Sequence, residues 1–161
     1  MGRIAKQELQ SAYVKTSTDA DRNEMKERND CAVIAFSVVT GKSYADSHAL
    51  LKKNGRKDRK DTYRETTCAA LQEAGFRYRK WGFIKMQQMI KSYPGVHGQF
   101  LKNITTHHPV RFAEQWGKEL KGKTLLFRTK THILAVKDGK VQDWTQNRAM
   151  RVIEILEVER I

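Results

Sequence analysis

The sequence predicts an α+β fold, helices first and an antiparallel sheet second, and three observations carry that prediction. Up to about residue 120 the apolar residues recur at helical spacing or fall in short runs bounded by cap residues. From Lys121-Gly122 onward the apolar period changes to two. Within that second part Asp138-Gly139 stands between two alternating segments, the strongest short-range hairpin signal a sequence offers. The 161 residues correspond to one domain, at roughly 150 residues per domain, and can bury a core without metal or disulfide staples. We read residues 1–161 as a single domain: a polar lead-in over 1–28, a mainly helical part over 29–120 and antiparallel strands over 121–161.

Residues 4–28 hold scattered apolar positions, Ile4, Leu9, Tyr13 and Val14, before Thr16-Ser17-Thr18-Asp19, and read as a weak helical lead-in. Asn29-Asp30 then precedes the apolar run CAVIAFSVV, which ends at Thr40-Gly41. Its β-branched content would permit a buried strand, but an Asx pair before it and a glycine after it are helix-cap chemistry and predict a short buried helix. Ser43, with Asp46 three residues on, makes a capping box for a second helix, which Ala45, Ala49 and Leu50 carry to Gly55. A third runs from about Tyr63 to Ala74 on the stripe Tyr63, Thr67, Ala70, Leu71 and Ala74, with Cys68 half-buried beside it and Gly75 as its stop.

Residues 76–93 carry two signals: Phe76, Tyr78 and Trp81 alternate like a short strand, while Ile84, Met86, Met89 and Ile90 have helical spacing up to Pro94-Gly95. Pro109 opens a further helix with Val110, Ala113, Trp116 and Leu120 along one edge. The strands follow: Leu125 and Phe127 alternate with Thr124, Leu126 and Arg128, then come Thr131 to Lys137, Lys140 to Trp144, and Arg151 to Ile161 as a closing strand.

Composition excludes several classes of protein. With 39% hydrophobic and 30% charged residues, ten Gly and two Pro, the chain is neither collagen-like, low-complexity nor mostly disordered. No apolar stretch approaches the roughly 18 residues of a spanning helix, and the N-terminal MGRIAKQELQSAYVK has no apolar h-region. No membrane partner is expected, and the expected address is cytoplasmic. The net charge of +13 favours acidic partners, and nucleic acid on charge alone, since no zinc-finger spacing, RNA-binding aromatic signature or P-loop accompanies it. The densest basic cluster is Lys52, Lys53, Arg56, Lys57, Arg59 and Lys60, which reads as a helix end running into a solvated loop. Cys31 and Cys68 show no CxxC pairing, so free thiols are expected rather than a disulfide or zinc site. The neighbouring His107 and His108 point different ways and have no acid or thiol at ligand spacing, so no metal and no cofactor are expected.

The hairpin carries the chemistry. If Asp138-Gly139 is a two-residue loop, Lys137 opposes Lys140, Leu134 opposes Asp143, and His132 opposes Thr145. By the period of two His132 shares a face with Leu134, so His132 and Asp143 become diagonal neighbours about 7 to 8 Å apart at the backbone. A carboxylate that fixes an imidazole, whose other nitrogen takes a proton from a thiol, is what a nucleophile requires. Cys31 is the thiol we assign, because at a helix start its sulfur meets uncommitted backbone N–H groups and the positive end of the helix dipole.

A cysteine at the head of a buried helix in NDCAVIAFSVVTGKSY, followed by the histidine and aspartate of THILAVKDGKVQDW, resembles the papain-like cysteine peptidase superfamily, most of all its small phage-encoded members. The resemblance covers Cys31 to Tyr44 and Leu125 to Trp144, and little between. It implies a helical lobe carrying the nucleophile, packed on an antiparallel sheet that carries base and orienter. Cys31 would be the nucleophile, His132 the general base and acid, and Asp143 the orienting carboxylate. It also implies a peptide or protein substrate, an acidic one on the charge argument, and a host cytoplasm as the place of action. Members of the family usually place a Gln about six residues before the cysteine as an oxyanion donor; here that position is Met25, leaving Asn29 and Asn23 as side-chain candidates at other spacings. Losing one such donor costs on the order of 100 to 1,000-fold in turnover. The rival expectation is a catalytically weak basic binding module, and acyl transfer of transglutaminase type would use the same three groups.

Overall fold

The computed structural model describes residues 22, 25–81, 113, 117–142 and 152–161. Among them the chain forms helices α1 (Cys31–Thr40), α2 (Tyr44–Lys53), α3 (Arg64–Glu73) and α4 (Gly117–Leu120), and strands β1 (Phe76–Lys80), β2 (Thr124–Arg128), β3 (Ile133–Lys137), β4 (Lys140–Gln142) and β5 (Glu154–Arg160). The strands make one antiparallel sheet in the order β1-β5-β2-β3-β4. The expected α+β architecture is present, with α1 against β3 and β2, α3 against β1, and α2 beside α1 and α3.

α1 is apolar all round and is buried all round, from Ala32 to Thr40. Its two hydroxyls are satisfied inside the helix, Ser37 Oγ donating to the Ile34 carbonyl and Thr40 Oγ1 to that of Phe36, each at 2.7 Å. Gly41, at φ 75°, closes the helix with its N–H on the Ser37 carbonyl. The N-terminal half of the cap expectation is corrected. The Asp30 side chain makes no cap bond; its carboxylate accepts Arg22 Nε at 2.7 Å and Tyr44 Oη at 2.8 Å instead. A stronger, charged donor has outcompeted the backbone N–H groups for it.

The Ser43 half of the expected capping box of α2 is present, Ser43 Oγ accepting the Asp46 N–H at 3.1 Å. Its buried face is different from the expected one: Tyr44, Ser47, His48 and Leu51 turn inward, while Ala49 is exposed. The inward polar residues Tyr44 and His48 have buried acids waiting for them in Asp30 and Glu27, which apolar periodicity does not register. In α3 the stripe holds at Thr67, Ala70 and Leu71, but Cys68 is buried with them, and Tyr63, at the N-cap, is 79% exposed.

The β3–β4 turn follows the predicted geometry. Asp138 (φ 52°) and Gly139 (φ 76°) both take the left-handed conformation of a type I′ loop, and the register is Lys137↔Lys140, Val136↔Val141, Ala135↔Gln142. The inner strands β2, β3 and β5 are buried on both faces. Leu126, Ile133, Ala135, Leu156, Val158 and Phe76 join the helices in one core, and the alternate residues Leu125, Phe127, Leu134, Val136 and Val141 are buried as well. That is why β2 reads as three consecutive buried residues rather than as an alternation. β5 lies inside the sheet, between β1 and β2, and its acids Glu154 and Glu157 are buried against Arg64, Arg128, Arg79 and Trp81. The helical signal at 84–90, the start of the Pro109 helix, and His107 and His108 lie outside the described residues.

Candidate active site

Cys31 is the first residue of α1 and is half-buried, whereas Cys68 is buried. Burial pushes the Cys68 thiol up, more than contacts with Tyr78 and Arg64 lower it, so that sulfur stays protonated and inert. At Cys31 the surroundings are different. The first turn of α1 carries no acid, and with Asp30 turned away to Arg22 and Tyr44 its backbone N–H groups receive no side-chain cap. A helix start of this kind leaves backbone N–H groups available to an oxygen beside Cys31.

Cys31 and His132 line one cleft of about 110 Å³, together with Asp61, Thr62, Arg64, Arg128 and the loop after β2. His132 lies one residue before β3 rather than within it, which corrects the expectation of a strand beginning at Thr131. A compact turn holds it there: Thr129 N–H donates to the His132 carbonyl at 2.7 Å, and the buried Thr129 Oγ1 accepts the His132 N–H at 2.9 Å. The backbone of the histidine is thus fixed from both sides. Asp143 lies outside the described residues; the predicted β3–β4 pairing is present as far as Gln142.

Of the two oxyanion candidates, Asn23 lies outside the described residues. Asn29 is exposed in a left-handed conformation (φ 53°), and its amide donates to the Arg59 carbonyl at 3.2 Å, away from the cleft lining. Met25 packs on the helical core. The basic cluster divides. Lys52, Lys53, Lys57, Arg59 and Lys60 are exposed, with Lys52 paired to Asp58 and Lys53 to Glu73. Arg56 belongs instead to the interior. Its side chain and that of Glu27 are both 0% exposed, joined by two hydrogen bonds of 2.9 and 3.1 Å.

That pair anchors a network that sequence reasoning missed. Glu27 also accepts His48 Nε2 at 2.6 Å and the Arg59 N–H at 2.8 Å. Burial alone would raise the Glu27 carboxyl, but the hydrogen bonds from Arg56 and His48 and the Arg56 charge hold it at about 2. Glu27, His48 and Asp58 bring ligand-type atoms within 4.8 Å of one another, yet both Glu27 oxygens are already taken by the Arg56 guanidinium, and Asp58 pairs with Lys52. Nothing in composition or spacing pairs residues 27 and 56. A basic residue flanked by a helix end and a turn reads as surface.

Comparison with protein-family models, with curated proteins and with solved structures finds no match for this chain.

Proposed function

We propose that the protein is a papain-like thiol hydrolase that cleaves an amide, isopeptide or ester bond through an acyl-enzyme on Cys31. The observation that carries this reading is the shared cleft of Cys31 and His132, with the cysteine at an uncapped helix start. In the proposed reaction His132 takes the Cys31 proton and the thiolate adds to the carbonyl carbon. The oxyanion that forms is met by first-turn N–H groups of α1, the cysteine's own among them. Collapse gives a thioester as His132 returns the proton to the departing amine or alcohol, and water activated by His132 then releases the acid. Asp143 is assigned the orienting role by the resemblance. The resemblance further suggests a phage protein acting on a host protein. Among the described residues no helix is long and apolar enough to cross a membrane.

The test is alkylation by iodoacetamide across pH 5–9, read by peptide mass spectrometry. Cys31 is expected to react at least tenfold faster than Cys68 near neutral pH, and His132→Ala to remove most of that advantage. Equal rates at the two thiols, unaffected by His132→Ala, would sink the reading. A second reading, a catalytically weak basic module that engages nucleic acid or an acidic protein, is favoured by Met25 in place of an amide donor and by the exposed Lys57, Arg59 and Lys60. It predicts binding that weakens steeply between about 50 and 200 mM salt.

A further inference from the structure

Two arginines line the cleft of Cys31 and His132: Arg64, the first residue of α3, and Arg128, the last of β2. Their Nε groups donate to the same oxygen, Glu154 Oε1, at 2.7 and 2.9 Å. Glu154 is buried, and its other oxygen faces Lys80 Nζ at 3.7 Å. One carboxylate therefore aligns two guanidinium groups and neutralises only one of their charges. Among the described residues neither arginine has a further hydrogen-bond acceptor for its terminal NH₂ groups, and the two side chains remain 30% and 31% exposed. Lys130 also lines the cleft, against a single acid, Asp61. Buried donors normally end matched; these two part-exposed guanidinium groups line a cleft that Cys31 also lines.

We propose that this cleft reads a carboxylate: the substrate is an acidic peptide or protein whose Asp or Glu side chain, next to the scissile carbonyl, is held by the terminal NH₂ groups of Arg64 and Arg128. The proposal rests on Cys31 being the nucleophile of the hydrolase proposed above, and it narrows the substrate of that site. The geometry is that of a fork already tethered at its base. Each guanidinium spends its Nε–H on Glu154 and keeps its planar outer edge for a second carboxylate, the arrangement that arginine makes well and lysine does not. Glu154 fixes the two side chains before a ligand arrives, which lowers the entropy lost on binding.

The experiment compares alkylation of Cys31 in the full chain by iodoacetate and by iodoacetamide, two reagents of one chemistry that differ in a carboxylate. The iodoacetate to iodoacetamide rate ratio at Cys31 is expected to exceed that of the urea-unfolded chain by about tenfold, the scale of one charge-assisted contact. Arg64→Gln and Arg128→Gln should each return most of that excess, and Lys57→Gln, an exposed charge outside the cleft, should leave it. Should either arginine variant fail to fold, the unmutated protein still decides: acetate should slow iodoacetamide labelling of Cys31, and chloride at equal ionic strength should not. A ratio equal to that of the unfolded chain, with no protection by acetate, overturns the carboxylate subsite even where Cys31 remains fast and His132-dependent towards iodoacetamide. Slow, His132-independent labelling by the neutral reagent instead overturns the hydrolase reading, so the two failures are read on different axes.

Discussion

The sharpest test of the fold is Arg56→Met, which keeps an unbranched apolar side chain and deletes the guanidinium from a fully buried pair. The Glu27 carboxylate would lose both charged hydrogen bonds from Arg56 and retain His48 and the Arg59 N–H. Two lines of arithmetic give the size. Removing one partner of a buried ion pair costs about 3 to 5 kcal/mol, because the remaining charge stays out of water. Separately, the fall of the Glu27 carboxyl from its ordinary 4.5 to about 2, at 1.36 kcal/mol per pKa unit, corresponds to about 3 kcal/mol left after its partners have overcome the penalty of burial. A loss near 3 kcal/mol satisfies both. For a chain of this length it lowers Tm by about 6–12 °C.

The assay is urea unfolding followed by far-UV circular dichroism, at pH 7 and again at pH 3. The sign follows from the depressed carboxyl. Between about pH 2 and 4.5 the unfolded chain binds more protons, so this stabilisation is complete above that window and fades as pH falls through it. The parent should therefore lose stability towards pH 3 faster than Arg56→Met, narrowing the gap between them. Glu27→Gln combined with Arg56→Met should recover part of the single-variant loss, since no charge is then left buried. A single-variant loss under about 1 kcal/mol, with no narrowing at pH 3, would refute the buried pair.

Two further outcomes test local geometry. Ser43→Ala removes the acceptor of the Asp46 N–H at the head of α2 and should cost about 1 kcal/mol in denaturant unfolding. Gly139→Ala should cost more than Gly41→Ala in paired thermal melts. Both glycines sit near φ 75°, but a Cβ at 139 meets Gly117 Cα at 3.2 Å, whereas 41 opens on empty space; equal losses would show that the packing of α4 on the turn contributes nothing.

Wherever backbone chemistry sets the structure, the sequence was readable. Asp138-Gly139 dictated a type I′ loop and so the whole β3–β4 register; Ser43 and Asp46 marked the start of α2; Gly41 and Gly75 marked two helix ends. Side-chain pairings across long sequence distances were not readable. Asp30 looked like a cap because the reading was local, and its partners Arg22 and Tyr44 lie eight and fourteen residues away. The inward face of α2 was missed for the same reason: Tyr44 and His48 count as outward in any apolar tally until acids 14 and 21 residues away are placed against them. At the candidate site, Cys31 and His132 were nominated by helix-start and hairpin logic, while Arg64 and Arg128 were invisible, since only the buried Glu154 brings them together.

The Glu27 network also explains why charge is buried so close to Cys31. Glu27 sits on the segment leading into α1, His48 on α2, and Arg56 and Arg59 on the loop that continues to Asp61 and Thr62 in the cleft wall. Asn29, two residues before the cysteine, closes the same link through the Arg59 carbonyl. Apolar packing would bury these loops equally well but would tolerate sliding, because it has no direction. Directional bonds to one carboxylate admit a single register of the loop against the head of α1. The wall that faces the sulfur is therefore set from behind, by groups that never enter the cleft, and its position depends on Glu27 staying ionised.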